Sequence, residues 1–155
     1  MIKSRRKKLV ILMAEDDVED RMLVEEAWEE AHVLNELRFV TDGEELLDYL
    51  KHKNQFADKA NSPRPGLILL DLNMPRKDGR EALREMKSDP ELRHIPVVVL
   101  TTSKAEEDII RSYDLGVNSF ITKPVTFEAL VDIMKALKRY WFEIVELMPE
   151  KIGDD

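Results

Sequence analysis

The chain has 155 residues, a formal net charge of −8 and no cysteine. That length suits one domain with a single core. The lack of cysteine excludes disulfides, thiol catalysis and cysteine-ligated zinc, and it favours a reducing compartment. The negative charge argues against a nucleic acid partner, because phosphate backbones bind positively charged surfaces. No stretch reaches the roughly 18–20 apolar residues of a membrane span, so we expect a cytoplasmic protein without a membrane partner.

Three segments follow one another along the chain. Residues 1–7 form a basic arm, and the apolar stretch after it is too short for a signal peptide and leads into acidic residues. We interpret residues 8–147 as one domain and residues 148–155 as a tail. Because little chain remains after the domain, we expect any readout to be a contact with another protein.

Short apolar runs alternate with longer amphipathic segments, which is typical of an α/β fold with a parallel sheet. The predicted strands are 8–14, 36–40, 67–70, 97–100 and 119–122. The predicted helices are 18–31, one that begins after Asp42-Gly43, 79–88, 106–115 and a last one from about Thr126. The composition of residues 54–66 predicts a long loop. The second strand is more polar than the others, so we place it at a sheet edge.

The first predicted helix has one apolar face and a recognisable start. Its apolar residues on one side are Leu23, Val24, Ala27, Trp28 and Ala31. Asp17 suits the N-cap position, where a carboxylate accepts hydrogen bonds from the first turn.

The last predicted helix carries more apolar surface than one buried face can use. The stripe predicted to cover the sheet is Phe127, Leu130, Met134, Leu137 and Trp141. Outside one stripe remain Ile133, Ile144 and part of the consecutive run Tyr140-Trp141-Phe142, which spreads over some 200° at about 100° per residue. Such a patch indicates a partner, and we expect a homodimer through this helix. The alternative is that the aromatic residues fold back on their own domain.

Four predicted strands end in side chains that suit phosphoryl transfer. These side chains are Glu15-Asp16, Asp71, Thr101 and Lys123. Right-handed connections leave few strand orders for five such units. In a doubly wound five-stranded sheet of order 2-1-3-4-5, the ligand site lies where strands one and three meet at their carboxyl ends. That order places Glu15, Asp16 and Asp71 side by side.

Three adjacent carboxylates repel one another unless a cation joins them. Oxygen donors favour a hard ion, and Mg²⁺ suits two or three carboxylates together with a phosphoryl oxygen. Acidic residues also stabilise helix N-termini, which accounts for Asp17, Glu19 and Asp20. It does not account for Glu15 and Asp16, which precede the helix.

Asp71 follows four apolar residues, so its carboxylate is either a buried structural cap or a nucleophile. A nucleophilic carboxylate would attack phosphorus and become an acyl phosphate. Lys123 suits the role of a cation that pairs with this carboxylate and then with a phosphoryl oxygen. Thr101 supplies a hydroxyl, although alone it would pass for an ordinary strand residue. We also predict a cis Lys123–Pro124 bond that aims the lysine across the sheet edge.

Taken together, these residues resemble the receiver domain of two-component response regulators. The signatures that carry the resemblance are Glu15-Asp16, Asp71-Leu72-Asn73-Met74-Pro75 with Asp78-Gly79, Thr101, and Lys123-Pro124. The resemblance covers about residues 8–139. The spacings from Asp71 to Thr101 and from Thr101 to Lys123 match those of chemotaxis-type receivers without a gap. It implies a flavodoxin-like receiver fold.

The resemblance also implies a role for each residue. Asp71 would be the phosphoacceptor and Lys123 would bind the phosphoryl group. Thr101 would be the switch hydroxyl and Phe120 the aromatic switch, which without a hydroxyl signals only by packing. The Mg²⁺ ligands would be Asp16, Asp71, the backbone carbonyl of Asn73 and, through water, Glu15.

Two departures narrow the resemblance. The loop at about 53–66 is longer than in chemotaxis-type receivers, and the C-terminus continues through 140–147. Both features are similar to single-domain regulators that serve phytochrome-type sensor kinases. We therefore expect a sensor histidine kinase as phosphodonor and a protein as downstream partner. The chain would not be an enzyme beyond its own Mg²⁺-dependent self-phosphorylation and autodephosphorylation.

Two other classes share parts of this pattern. A haloacid dehalogenase-type phosphatase needs a second acid two residues after its nucleophile, and Asn73 stands there instead. A flavodoxin-like FMN carrier would need the loop after strand one to hold a phosphate, which Glu15-Asp16-Asp17 would repel.

Overall fold

Five parallel strands form one sheet of order β2-β1-β3-β4-β5. A computed structural model describes residues 9–72, 74, 77–101, 116–117 and 119–143, and of residues 101 and 141–143 it describes the backbone. The strands are β1 (Val10–Ala14), β2 (Glu36–Val40), β3 (Leu67–Asp71), β4 (Val97–Thr101) and β5 (Ser119–Thr122). The predicted strand order is confirmed, and β2 lies at the edge that its polar sequence predicted.

Four α-helices lie in the described part of the chain. They are α1 (Val18–Glu30), α2 (Gly43–Lys51), α3 (Gly79–Ser88) and the last helix (Phe127–Leu137), which continues as a π-helical stretch at Lys138–Glu143. Each begins at a side-chain cap, respectively Asp17, Asp42, Asp78 and Thr126. The helix predicted at 106–115 lies outside the described residues. Within the described part, no helix is long and apolar enough to cross a membrane.

The loop predicted between α2 and β3 is present and contains two short 3₁₀ helices, Asn54–Phe56 and Lys59–Asn61. The phenol of Tyr49 on α2 donates to Pro63 O at 2.8 Å, which ties the loop to the helix before it.

The sheet is covered on both faces. α2 and α3 pack on the side formed by residues such as Leu12, Ile68 and Leu70, while α1 and the last helix pack on the side of Ile11 and Leu69. Neighbouring residues of a strand point to opposite faces. A strand buried on both faces therefore reads as a continuous apolar run, as β3 does.

The buried face of α1 is narrower than its sequence predicted. Val24, Ala27, Trp28 and Ala31 are buried, but Leu23 is 44% exposed. At about 100° per residue, Leu23 lies at the margin of the stripe centred on the other four, so the sheet does not cover it.

The last helix differs from its prediction at three positions. Met134 and Leu137 are buried as predicted, and Val131, which was not in the predicted stripe, is buried with them. Phe127, which was in that stripe, is 39% exposed. Helical side chains lean toward the helix N-terminus, so the side chain of this first residue leans past the end of the helix. Ile133, predicted to add free apolar surface, is half-buried and packs against the core.

Candidate functional site

The carboxyl ends of β1 and β3 lie side by side at the centre of the sheet. Ala14 is in register with Leu70, so the residues that follow each of them are neighbours. Asp71 is in register with Leu100 of β4, and Thr101 with Thr122 of β5. The strand order alone thus brings Glu15, Asp71 and Lys123 to one edge.

Glu15, Asp16 and Asp71 form an acidic cluster in which one carboxylate oxygen from each residue lies within 4.8 Å of the other two. Glu15 and Asp71 are buried, whereas Asp16 is exposed and open to solvent. Three hard oxygen donors at this separation, one of them facing water, fit a Mg²⁺ ion that keeps several water ligands. The three carboxylates therefore lie side by side as the sequence predicted, and their donor chemistry fits the ion.

The ammonium of Lys123 bridges the two buried carboxylates. Its Nζ donates to Glu15 Oε1 at 3.0 Å and to Asp71 Oδ2 at 3.2 Å. Asp20 Oδ2, on the first turn of α1, lies 3.6 Å from the same Nζ. Sequence reasoning assigned Asp20 to helix stabilisation alone and missed this contact.

Burial and charge act in opposite directions at these groups. Desolvation raises the pKa of the Glu15 carboxyl above its ordinary value, although Lys123 and the backbone N–H of Asp17 oppose that rise. Burial would lower the pKa of Lys123, but the carboxylates of Asp71 and Glu15 outweigh it and raise the pKa of Lys123. The ammonium therefore stays charged at neutral pH.

Backbone contacts hold Glu15 in place. Its N–H donates to Val40 O at 2.9 Å, and its Oε2 accepts the N–H of Asp17 at 3.1 Å. Arg21 Nε donates to the Glu15 carbonyl at 2.9 Å, while its guanidinium lies 5.4 Å from the ring centre of Phe39. Sequence reasoning missed Arg21, because its partner is a backbone oxygen that no residue type marks.

The chain after Asp71 returns closely onto it. The N–H of Gly79 donates to Leu72 O at 3.1 Å. A Cβ on Gly79 would lie 2.7 Å from the Asp71 carbonyl oxygen, so only glycine fits there. Asp78 caps α3 by accepting the N–H of Glu81 at 3.0 Å. The Asp78-Gly79 signature thus returns the chain to the end of β3, beside Asp71.

Of the remaining predicted site residues, the structure describes Phe120 in full, Thr101 in its backbone alone, and Asn73 not at all. Thr101 ends β4, but its side chain lies outside the described part, as does all of Asn73. Phe120 is half-buried and packs against the core on the α2 and α3 side.

The prediction of a cis Lys123–Pro124 bond is wrong, because the described residues contain no cis peptide bond and this bond is therefore trans. Lys123 reaches both buried carboxylates with the trans isomer, which X–Pro bonds ordinarily favour.

Comparison with known proteins agrees with this geometry. The sequence profile of the response regulator receiver domain matches residues 11–135. Response regulator Rcp1 of Synechocystis sp. is 44% identical over 138 residues, which are 89% of this chain and 92% of Rcp1.

Two solved structures have the same fold and similar sequences. The phosphorylated cyanobacterial phytochrome response regulator RcpA superposes with a TM-score of 0.79 at 45% identity, covering 89% of this chain and 96% of RcpA. The Mn²⁺-bound form of Rcp1 superposes with a TM-score of 0.77 at 43% identity, covering 92% of this chain and 99% of that structure.

Proposed function

This chain belongs to the response regulator receiver family, and from that premise we propose that Asp71 accepts a phosphoryl group from a sensor histidine kinase. The observation that carries the proposal is the contact of Lys123 with Asp71 beside the acidic cluster. A buried carboxylate with a charged ammonium at hydrogen-bond distance has both a nucleophilic oxygen and a cation for the incoming group.

The transfer step uses groups that the chain already holds in place. A carboxylate oxygen of Asp71 attacks the phosphorus of a phosphohistidine, so a P–O bond forms as the P–N bond breaks. The electron pair returns to the imidazole, which takes up a proton. Lys123, already 3.2 Å from Asp71 Oδ2, stabilises the negative charge on the phosphoryl oxygens.

Asp16, Asp71 and the Asn73 carbonyl would hold Mg²⁺ directly, with Glu15 acting through water. Glu15 and Asp71 are backed by Lys123, which leaves exposed Asp16 as the carboxylate without that cation. When bound, the ion would neutralise charge on the phosphoryl oxygens. With a small phosphodonor, the chain would phosphorylate itself and later release phosphate by hydrolysis, without turning over other substrates.

The experiment that tests this proposal is intact-mass analysis after incubation with acetyl phosphate. The wild type with Mg²⁺ should gain about 80 Da, the mass of one phosphoryl group. Asp71→Asn with Mg²⁺, and the wild type in EDTA, should gain none. Equal labelling of Asp71→Asn, or undiminished labelling in EDTA, would show that Asp71 is not the acceptor or that the reaction needs no metal.

Phosphorylation would be read out through Thr101 and Phe120. Thr101 follows Leu100, the register partner of Asp71, and a hydroxyl at this position of β4 would serve as a donor to a phosphoryl oxygen. Phe120, two residues before Thr122 on the adjacent strand, would change its packing against the core. A Thr101→Ala variant should still be labelled but should lose phosphorylation-dependent changes in partner binding.

The kinase is proposed to be of the phytochrome type and to act in the cytoplasm. This proposal is supported by the similarity of the chain to RcpA, a cyanobacterial phytochrome response regulator. Phosphotransfer from a panel of autophosphorylated histidine kinases should label this chain fastest with a phytochrome-type kinase. Faster labelling by kinases of other types would contradict the assignment.

We further propose that the protein is a homodimer joined through the last helix. Tyr140 is 60% exposed just after that helix ends, as the sequence predicted for part of the aromatic run. Ile133 contributes less exposed apolar surface than predicted, because it is half-buried and packs against the core.

Light scattering distinguishes a dimer of about twice the 18.1 kDa chain from a monomer. Tyr140→Arg should shift the mass toward the monomer, whereas Val18→Arg, an equally drastic change at an exposed residue of α1, should not. A wild-type mass near 18.1 kDa with and without phosphorylation would refute the dimer.

A further inference from the structure

The start of α2 makes an unusually close contact with the chain that precedes α3. The N–H of Gly43 donates to Lys77 O at 2.8 Å. A Cβ on Gly43 would lie 2.3 Å from that oxygen and 3.0 Å from Asp78 O. The backbone of Gly43 does not adopt a left-handed conformation, so glycine is required here by space alone.

The α2 side of this contact is firmly held. Asp42 is buried, and its Oδ1 accepts the N–H of Glu45 at 2.8 Å. The Glu45 side chain in turn accepts the N–H of Thr41 at 2.8 Å. These two bonds fix the first turn of the helix to the residues before it, and Leu46 and Leu47 anchor it in the core. The helix start can therefore act as a rigid support.

The other side of the contact leads directly to Asp71. Lys77 is followed by Asp78, which caps α3, and by Gly79, whose N–H donates to Leu72 O at 3.1 Å. The Gly79 position accommodates no side chain, because a Cβ there would lie 2.7 Å from Asp71 O and 2.8 Å from Leu72 Cα. A displacement at Lys77 is therefore passed to the backbone of the phosphoacceptor through atoms already in contact.

We propose that Gly43 is a positioning residue for the phosphoacceptor: the backbone of Gly43 supports Lys77–Gly79, and these residues in turn hold Asp71 and Leu72 in place. The inference rests on the proposed function of Asp71 and extends it to a residue that touches neither substrate nor metal. The energetic reason is that phosphoryl transfer depends on alignment, and a misplacement of an ångström can slow a reaction severely.

Gly43→Ala tests the proposal by adding one methyl group at the contact. Alanine ordinarily favours a helix over glycine, so any loss comes from the close approach. At a temperature where circular dichroism shows a fully folded variant, Mg²⁺ affinity by calorimetry and labelling by acetyl phosphate should each fall about tenfold or more.

Gly66→Ala is the matched control. Gly66 directly precedes β3, at the amino-terminal end of the strand and therefore away from the acidic cluster. A Cβ on Gly66 would lie 2.5 Å from Leu9 Cδ2. This variant should lose thermal stability, because the Leu9 side chain must move, while Mg²⁺ affinity and labelling stay at the wild-type level. An equal loss of function in Gly66→Ala would reduce the Gly43 effect to general destabilisation and overturn the proposal.

A folded Gly43→Ala protein with wild-type Mg²⁺ affinity and labelling would also overturn it. If Gly43→Ala does not fold, the same two measurements on Asp42→Ala test the proposal. This substitution removes the cap of α2, and so loosens the start of the helix, without adding a bulky group. A several-fold loss of Mg²⁺ affinity and labelling supports the proposal, and unchanged values refute it. Failure of the wild type to be labelled is a separate result, because it would refute the function of Asp71 itself.

Discussion

At the scale of single residues, the site depends on one ammonium shared by two buried carboxylates. Lys123 lies within 3.2 Å of both Glu15 and Asp71, and its own side chain is 21% exposed. Buried charges are tolerated when they are paired, and removing one partner leaves the other unpaired in a poorly solvated place. We therefore expect Lys123 to stabilise the metal-free fold, in addition to the role toward the phosphoryl group that we propose for it.

Lys123→Met should lower the free energy of unfolding without Mg²⁺ by about 3 kcal/mol, the low end for breaking a buried pair, because Glu15 can take up a proton. Lys77→Met is the control, since Lys77 pairs with Glu85 at the surface and should change stability by less than about 1 kcal/mol. Urea unfolding of both variants measures the difference. Equal losses would show that the Lys123 pairs contribute no more than a surface ion pair.

At the scale of elements, β3 is a strand on which both halves of the core depend. Its five residues are all buried, with Leu69 in the core under α1 and the last helix and Leu70 in the core under α2 and α3. The edge strand β2 contrasts with it, because three of its five residues are half-buried. The position of a strand in the sheet thus sets how much each of its side chains stabilises the fold.

Leu69→Ala and Leu70→Ala should each cost about 2–5 kcal/mol, although their side chains point to opposite faces. Leu37→Ala on β2 should cost less than either, because half-buried Leu37 loses less apolar contact. Urea denaturation with a common slope for all variants gives the comparison. A cost below about 1 kcal/mol for either β3 variant would mean that its face of the sheet is not tightly packed.

At the scale of the whole molecule, metal binding and folding are linked. The chain carries a formal net charge of −8, and three of its carboxylates each place one oxygen within 4.8 Å of the other two. A cation that binds only the folded state stabilises it in proportion to the logarithm of its concentration. The acidic cluster should therefore make the stability of the fold sensitive to Mg²⁺.

At 100 times its dissociation constant, Mg²⁺ should stabilise the wild type by about 2.7 kcal/mol. For a chain of this length that corresponds to a rise in Tm of about 5–10 °C. Asp16→Asn should lose most of that rise, whereas Glu25→Gln, at an exposed position of α1, should keep it. Differential scanning calorimetry with and without Mg²⁺ measures both, and a full rise in Asp16→Asn would exclude Asp16 as a ligand.

The sequence by itself determined the fold class and most of the site. Run length and residue type are local properties, so each strand could be located, and Glu15, Asp71 and Lys123 could be assigned to strand ends. Parallel pairing then places those ends at one edge whatever the details of packing. The cap predicted at Asp17 is likewise local, since its side chain accepts a hydrogen bond from the backbone N–H of Asp20, three residues on.

Only the tertiary structure decided the contacts between segments that are distant in the chain. Arg21 and Gly43 bond to backbone oxygens, and a backbone oxygen is present at every residue, so no sequence pattern indicates which one is used. The exposure of Leu23 and Phe127 depends on how far the sheet extends beneath each helix. The trans Lys123–Pro124 bond depends on the path by which the lysine reaches its carboxylates. These features follow from distances across the fold, which periodicity along the chain does not encode.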